Sequence, residues 1–226
     1  MNSIEEQGFE IIPNIFGKST VRDISGIVGD SSHRRGRAGI RNALQIEAVR
    51  LLAREGALMQ LVRPVLGANA HCFRATLFDK SVDSNWLVVW HQDTALPVRE
   101  RKESPGWGPW SVKQGITCAH APASALEQVL AIRVHLDDSG SENGPLRVLP
   151  TTHRQGVLSD DAIHDLTTRV GAVDCCVSSG GVLLMRPLLV HASSKVSANA
   201  RPRRVLHIEY SSCLSFLGGI ELAVCE

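Results

Sequence analysis

The segment Trp86–Asp93, WLVVWHQD, sets the tightest limit on how this chain can fold. It is rich in β-branched and aromatic residues, which predicts a strand ending in His91-Gln92-Asp93. Side chains alternate across a strand, so Leu87, Val89, His91 and Asp93 share one face and Trp86, Val88, Trp90 and Gln92 the other. Both faces are apolar until His91, the pattern of a strand buried on both sides, and an imidazole and a carboxylate then emerge at its end. Two ligands at i and i+2 can hold one metal ion, but a site of two histidines and one carboxylate needs a second histidine from elsewhere. A His-x-Asp pair alone is equally an ordinary hydrogen-bonded pair.

A second apolar run also closes on a histidine: GGVLLMRPLLVHASS, residues 180–194, reaches His191. The polar turn SKVSANARP follows, and then the strand-like RRVLHIEYS at Arg203–Ser211. The order is therefore His-x-Asp, about a hundred residues, His, about a dozen residues, Arg.

This ordered set resembles the phytanoyl-CoA dioxygenase family, a branch of the Fe(II)- and 2-oxoglutarate-dependent oxygenases. The resemblance is carried by WHQD at 90–93, NGPLRVLPTTHRQG at 143–156, HASS at 191–194, RPRRVLHIEY at 201–210 and the weaker opening GFEIIPNIF. It spans nearly the whole chain and departs at one point, since family members usually carry Gly-Asp where this chain has Gly180-Gly181. It implies His91, Asp93 and His191 as the catalytic ligands of Fe(II). It also implies a reaction in which O2 decarboxylates 2-oxoglutarate to succinate and CO2 while a small organic substrate is hydroxylated, with ascorbate as auxiliary reductant. Related halogenases lack the carboxylate and place chloride there, so Asp93 favours hydroxylation. Lys80 lies in a segment similar to relatives in which a lysine sits near the cosubstrate. An exposed lysine in a turn is the other reading.

Composition agrees with such an enzyme. At 226 residues the chain can bury a sizeable core, and one domain over 1–226 is expected. With 24 basic and 23 acidic side chains there is no general attraction to nucleic acid or to a membrane surface. Six cysteines without C-x-x-C spacing are expected as free thiols in a cytoplasmic protein. No signal segment or bilayer-length apolar run is read, and composition is silent on oligomeric state.

In chain order, a strand is predicted at Phe9–Ile12 and a helix at Ser19–Val28 with Ser19 as cap. Arg34, Arg35, Arg37 and Arg41 fall in a polar stretch that reads as surface loop or anion site. Asn42 is the expected cap, with Gln45, of a long helical stretch broken at Gly56. From Ala70 onward the pattern is strand-like. Residues 97–114 read as a structureless connection, either a lid or a packed crossover, with Trp107 and Trp110 at the substrate mouth. Val129–Leu136 alternates cleanly. Arg133 and His135 then face either the pocket or water, depending on where the aliphatic side packs. His153 is rejected as a ligand because its surroundings read as a turn, and Ser159 is the expected cap of a helix to Leu166. About eight strands with turns between them and helices at the N-terminus point to a double-stranded β-helix, a cupin-like jelly roll, as the resemblance also implies.

Three arginines stand near the place where a cosubstrate carboxylate needs a cationic fork. In a strand from Arg203, the set Arg203, Val205, His207 and Glu209 shares one face and Arg204, Leu206, Ile208 and Tyr210 the other. The second set fits against covering helices, so Arg203 is expected in the cavity with His207, and Arg201 before Pro202 in solvent. Ser193 reads either as a further donor to the cosubstrate or as a strand-end cap. Two other classes stay open: a cupin-like metal enzyme that uses no 2-oxo acid, and a binding module without turnover.

Overall fold

The computed structural model describes residues 3–30, 36, 39–81, 84–197 and 201–225. Five strands precede the middle of the chain: β1 (Phe9–Ile12), β2 (Gly39–Ile40), β3 (His71–Lys80), β4 (Val88–His91) and β5 (Ala95–Val98). Then come β6 (Trp110–Lys113), β7 (Ile116–His120), β8 (Val129–His135), β9 (Leu146–Val148) and β10 (Val173–Cys175). The last are β11 (Val182–Met185), β12 (His191–Ser193), β13 (Arg203–Ser211), β14 (Ser215–Phe216) and β15 (Ile220–Glu221). Among the described residues, six α-helices accompany them: α1 (Ser3–Gln7), α2 (Lys18–Gly29), α3 (Glu47–Arg54), α4 (Gly56–Leu66), α5 (Ala123–Leu126) and α6 (Asp160–Arg169).

Two antiparallel sheets form the jelly roll, one in the order β1-β11-β8-β13-β3-β2 and one in the order β10-β9-β12-β4. The larger sheet divides its faces by side-chain parity. Outward, Leu130, Ile132 and Val134 of β8 and Leu206, Ile208 and Tyr210 of β13 pack with Ile24, Val49, Leu58 and Val62 of the helices. Tyr210 is fully buried and its hydroxyl donates to the Ala53 carbonyl at 2.9 Å. Inward, Ala131, Leu146, Val148, Leu183, Met185 and Leu189 plug one end between the sheets. The other end stays open, and the polar inner residues of β3, β8 and β13 line it.

Several predicted ends hold and others move. β1 falls on the predicted residues, Gly56 begins a second helix, and Ser159 Oγ accepts from Ala162 N–H at 3.3 Å. The helix predicted to begin at a Ser19 cap, α2, is instead entered through Gly17 and has no side-chain cap. Asn42 also caps nothing, because the chain makes a 3-10 turn at Ala43–Gln45 before α3 begins. Residues 97–114 are structured at both ends, where β5 and β6 join β7 in a three-stranded sheet, while 99–109 between them carries no regular element.

At the Gly-Gly departure, Gly180 has φ +85° and its carbonyl accepts from Phe16 N–H at 2.9 Å. A Cβ there would press on the Phe16 carbonyl oxygen, and one at Gly181 would meet Val177 Cγ1 at 2.8 Å. The turn as built has no room for the family's Gly-Asp side chain. Gly180→Ala should therefore cost about 2 kcal/mol or more, from the left-handed backbone and the clash together. Urea denaturation checks this; an unchanged midpoint would refute it.

Candidate metal centre

β4 does not alternate as its sequence predicts. It pairs with β12 with His191 opposite His91 and Ser193 opposite Val88, so two residues of β12 span three of β4. This is a β-bulge, which bends a strand and re-aims its side chains. Val88 and His91 consequently both line the cavity, while Leu87 is 58% and Val89 67% exposed. The strand is not buried on both sides.

The bulge brings the three expected ligands together. His91, Asp93 and His191 each offer one ligand atom, and these lie within 4.8 Å of one another. Asp93 Oδ1 is 3.6 Å from His91 Nε2 and Oδ2 is 3.5 Å from His191 Nε2. Each imidazole has its other nitrogen committed: Nδ1 of His91 faces the Val89 carbonyl and Nδ1 of His191 the Leu189 carbonyl, both at 2.8 Å. A carbonyl only accepts, so both Nδ1 atoms carry the proton and both Nε2 lone pairs point at Asp93. Burial pushes His191 down to about 4 against the pull of Asp93, so its ring is neutral at neutral pH, as a ligand must be. Burial opposes the charge of Asp93 too, but His191, His91 and His207 outweigh it and hold the carboxyl well below its usual range. Burial pulls His91 down, but its contact with the Asp93 carboxylate outweighs that and raises it above the ordinary histidine value. Two imidazoles and one carboxylate on one side of a point suit iron(II), whose binding would displace any proton on Nε2.

Gln92, between the ligands, points the other way. Its amide donates to Gly156 and Leu188 carbonyls at 2.9 and 2.7 Å and accepts from Leu158 N–H at 2.8 Å. It pins the ligand-bearing end of β4 to two loops.

The triad opens on a cavity of about 920 Å³. Among the described residues, seven lysines and arginines line it against two acids, Asp93 and Glu209. Glu209 is held by Arg74, whose Nη2 donates to its Oε1 at 2.6 Å and also to the Ala95 carbonyl at 3.2 Å. Arg203 is 3% exposed, lines the cavity and has no hydrogen-bond partner for Nε or Nη1 among the described residues. Lys80 lies opposite it in register, fully buried rather than in an exposed turn. Its Nζ donates to Ser193 Oγ at 3.0 Å and to the Ser194 carbonyl, and lies 5.3 Å from the Trp86 ring centre. Ser193 Oγ in turn donates to the Gly144 carbonyl at 2.9 Å. Arg204 points away and grips Asp137 with two bonds of 2.8 Å, and Arg201 is exposed.

Of the remaining expected pocket residues, Arg133 and His207 line the cavity. His135 is 1% exposed with neither nitrogen bonded among the described residues, but it is not part of the cavity lining. The tryptophans are not in the wall. Trp107 is buried in an apolar cluster, its ring 5.6 Å from that of Phe216, and Trp110 sits half-buried beneath Arg101. Both aromatic rings have more apolar surface to bury against β14 and the small sheet than at a wet mouth. That sheet contributes Pro97, Lys113, Gln114 and Ile116 to the cavity instead. His153 bonds the Glu5 carbonyl at 3.2 Å, away from the triad. Arg34, Arg35 and Arg37 lie outside the described residues, while Arg41 lines the cavity. Sequence reasoning missed the Arg74–Glu209 pair: parity puts Glu209 in the cavity, but only the β3–β13 register sets Arg74 against it.

The family model described as "Phytanoyl-CoA dioxygenase (PhyH)" matches residues 5–205. Among curated proteins, L-proline trans-4-hydroxylase of Streptomyces griseoviridis is 25% identical over 186 residues, 71% of this chain and 61% of that protein. The chain thus spans about three fifths of the length of that relative. Among solved structures, EctD from S. alaskensis, with 2-oxoglutarate and 5-hydroxyectoine, matches with TM-score 0.69 and 18% identity over 92% of this chain and 73% of that one. AviO1 from Streptomyces viridochromogenes matches with TM-score 0.65 and 20% identity over 97% and 95%. At these identities the structural likenesses establish the jelly-roll fold.

If the three clustered residues hold one divalent ion, Asp93→Ala should weaken its binding by on the order of a hundredfold, since two imidazoles alone leave the ion's charge uncompensated. Anaerobic Fe(II) or Zn(II) calorimetry measures this. Equal affinity in the variant would dismantle the assignment.

Proposed function

The chain belongs to the phytanoyl-CoA dioxygenase family, and on that premise we propose that it is an Fe(II)- and 2-oxoglutarate-dependent hydroxylase of a small organic substrate. One observation carries the reading: a His-Asp-His cluster and a buried arginine, Arg203, whose Nε and Nη1 have no partner among the described residues, share one cavity. A metal enzyme that uses no 2-oxo acid, or a module without turnover, has no need for both. Iron(II) held by His91, Asp93 and His191 would supply the oxidative decarboxylation of 2-oxoglutarate by O2, coupled to hydroxylation of a substrate carbon, with ascorbate as auxiliary reductant.

The protein's own part is binding and orientation. Asp93 offsets the metal's charge, and the two backbone carbonyls hold the imidazoles in the metal-binding tautomer. Arg203 offers the far cosubstrate carboxylate two parallel donors in a buried site. Burial, then Arg133, lowers Arg203 to about 9, so it remains charged at neutral pH. Lys80 adds a second cation to the same carboxylate. Ser193, with its proton on Gly144, acts by positioning Lys80. Arg41, Lys113, Trp86 and His207 shape the substrate's share of the cavity. The reading extends to a cytoplasmic setting, which suits six cysteines that all stand as free thiols.

Anaerobic titration of the Fe(II)-loaded protein with 2-oxoglutarate should develop a weak visible charge-transfer band; no band would sink the proposal. Arg203→Gln should raise the apparent KM for 2-oxoglutarate on the order of a hundredfold, the loss of about 3 kcal/mol when a buried carboxylate loses its partner. Arg204→Gln should leave it near wild type, and the reverse outcome would show the β13 register shifted by one.

Burial, then Arg203 and Arg133, lowers Lys80 to about 8. A bound carboxylate favours the charged amine, so binding takes up a proton where free Lys80 is neutral. Affinity for 2-oxoglutarate should therefore be full below pH 8 and fall as pH rises through it. Lys80→Met should flatten that slope in calorimetry between pH 7 and 9, and an equal slope in the variant would assign the effect elsewhere.

A further inference from the structure

The proposed chemistry leaves one buried charge without a task. Arg133 lies on the inner face of β8, opposite His207 on β13 and Leu183 on β11. It is 7% exposed, lines the cavity, and has no bonding partner for Nε among the described residues. Its Nη1 donates to His207 Nδ1 at 3.3 Å, and its guanidinium stands 5.4 Å from the Phe78 ring centre. None of these partners is an anion. Burying a cation unpaired costs several kcal/mol, which a fold retains where a ligand later supplies the charge.

Position decides which ligand. On the inner face, Arg203 and Lys80 form one cross-strand row, Val205, Phe78 and His135 the next, and His207, Thr76 and Arg133 the one after. Arg203 and His207 are four residues apart, roughly 13 Å along β13 at strand rise. Arg133 therefore stands two rows from the far-carboxylate anchor, on the triad's side, and its charge is felt at Asp93 and His191. The exposed lining residues, Arg41, Leu87, Lys113 and Gln114, mark the mouth, whereas Arg133 and Arg203 are buried parts of the lining. On the reading above, the molecule that would reach from Arg203 to the triad along these buried residues is the cosubstrate, which carries a carboxylate at each end.

We propose that Arg133 is a second cosubstrate-binding residue, its guanidinium holding the metal-end carboxylate of the 2-oxo acid while Arg203 and Lys80 hold the other end. The proposal rests on the 2-oxoglutarate reading above. His207 aims the guanidinium by accepting from Nη1 and so leaves Nε for the ligand. The cavity thereby measures the distance between two carboxylates before any metal is present.

The test uses metal-free protein, with 2-oxoglutarate and with 2-oxopentanoate, which lacks the far carboxylate, as probes in calorimetry and ligand-observed NMR. Arg133→Gln and Arg203→Gln should each weaken 2-oxoglutarate by about tenfold or more. For 2-oxopentanoate, Arg133→Gln should retain that effect and Arg203→Gln should have none. If Arg203→Gln matters for 2-oxoglutarate but Arg133→Gln changes neither ligand, this proposal falls and the cosubstrate reading stands. If neither variant changes 2-oxoglutarate binding, both fall; if metal-free wild type does not bind it, this proposal falls, and the titration of the Fe(II)-loaded protein decides the cosubstrate reading separately. Should Arg133→Gln not fold, the Nε–H resonance of Arg133 in wild type, assigned through Arg133→Lys, decides: it should shift on adding 2-oxopentanoate, and a static resonance overturns the proposal.

Discussion

The site depends on one backbone pairing, that of His191 on β12 with His91 on β4. These strands come from segments about a hundred residues apart, and only their antiparallel register puts two Nε2 atoms on the same side of Asp93. A slip of one residue would turn a ligand out of the cavity, because side chains on a strand have a period of two. Buried hydrogen bonds hold the register. Asp93 N–H donates to the Pro187 carbonyl at 2.9 Å, and Thr152 Oγ1, while donating to Leu149, accepts from Val190 N–H at 3.0 Å beside His191. Supporting bonds of this kind hold the clustered side chains in place more firmly than packing alone.

The larger sheet supplies the opposite wall, and its two faces do different work. Outward, aliphatic rows and Tyr210 bury against the helices and contribute the hydrophobic stabilisation. Inward, that stabilisation offsets an interior rich in charge. Some of the charge is already compensated by Arg74 with Glu209, as Arg204 is by Asp137 on the other face. Arg133 and Arg203 lack such partners among the described residues, and Lys80 bonds only neutral oxygens. On the proposed reading, the contrast separates charges that serve the fold from those kept ready for a ligand.

The mouth is built more firmly than a loop of prolines and charges would be. The β5-β7-β6 sheet is tied to the C-terminal segment by the Val98–Leu222 bridge and by Trp107 against Phe216. Cys225 N–H donates to the Phe73 carbonyl at 2.9 Å, which brings the end of the chain beside the cavity that Cys225 helps to line. The wall nearest the substrate's entry is therefore anchored to core residues on two sides.

The chain's own pattern determined the inner and outer faces of β8 and β13, since alternation is local and each strand has one apolar side. Arg203 inside and Arg204 outside follow from it, as does the helical cover over Leu206, Ile208 and Tyr210. The types and order of the three clustered residues were legible too, because a metal site demands those donors whatever strands carry them. Tertiary structure alone decided the rest. The bulge in β4 arises from pairing with β12, so WLVVWHQD could not disclose that Val89 faces water. The small sheet at 95–120 forms only because distant apolar residues cover it, which local propensity does not contain. And whether Arg74, Arg133 or Lys80 is paired depends on what each strand meets across the barrel, a relation between residues far apart in the sequence and adjacent only once the sheets have closed.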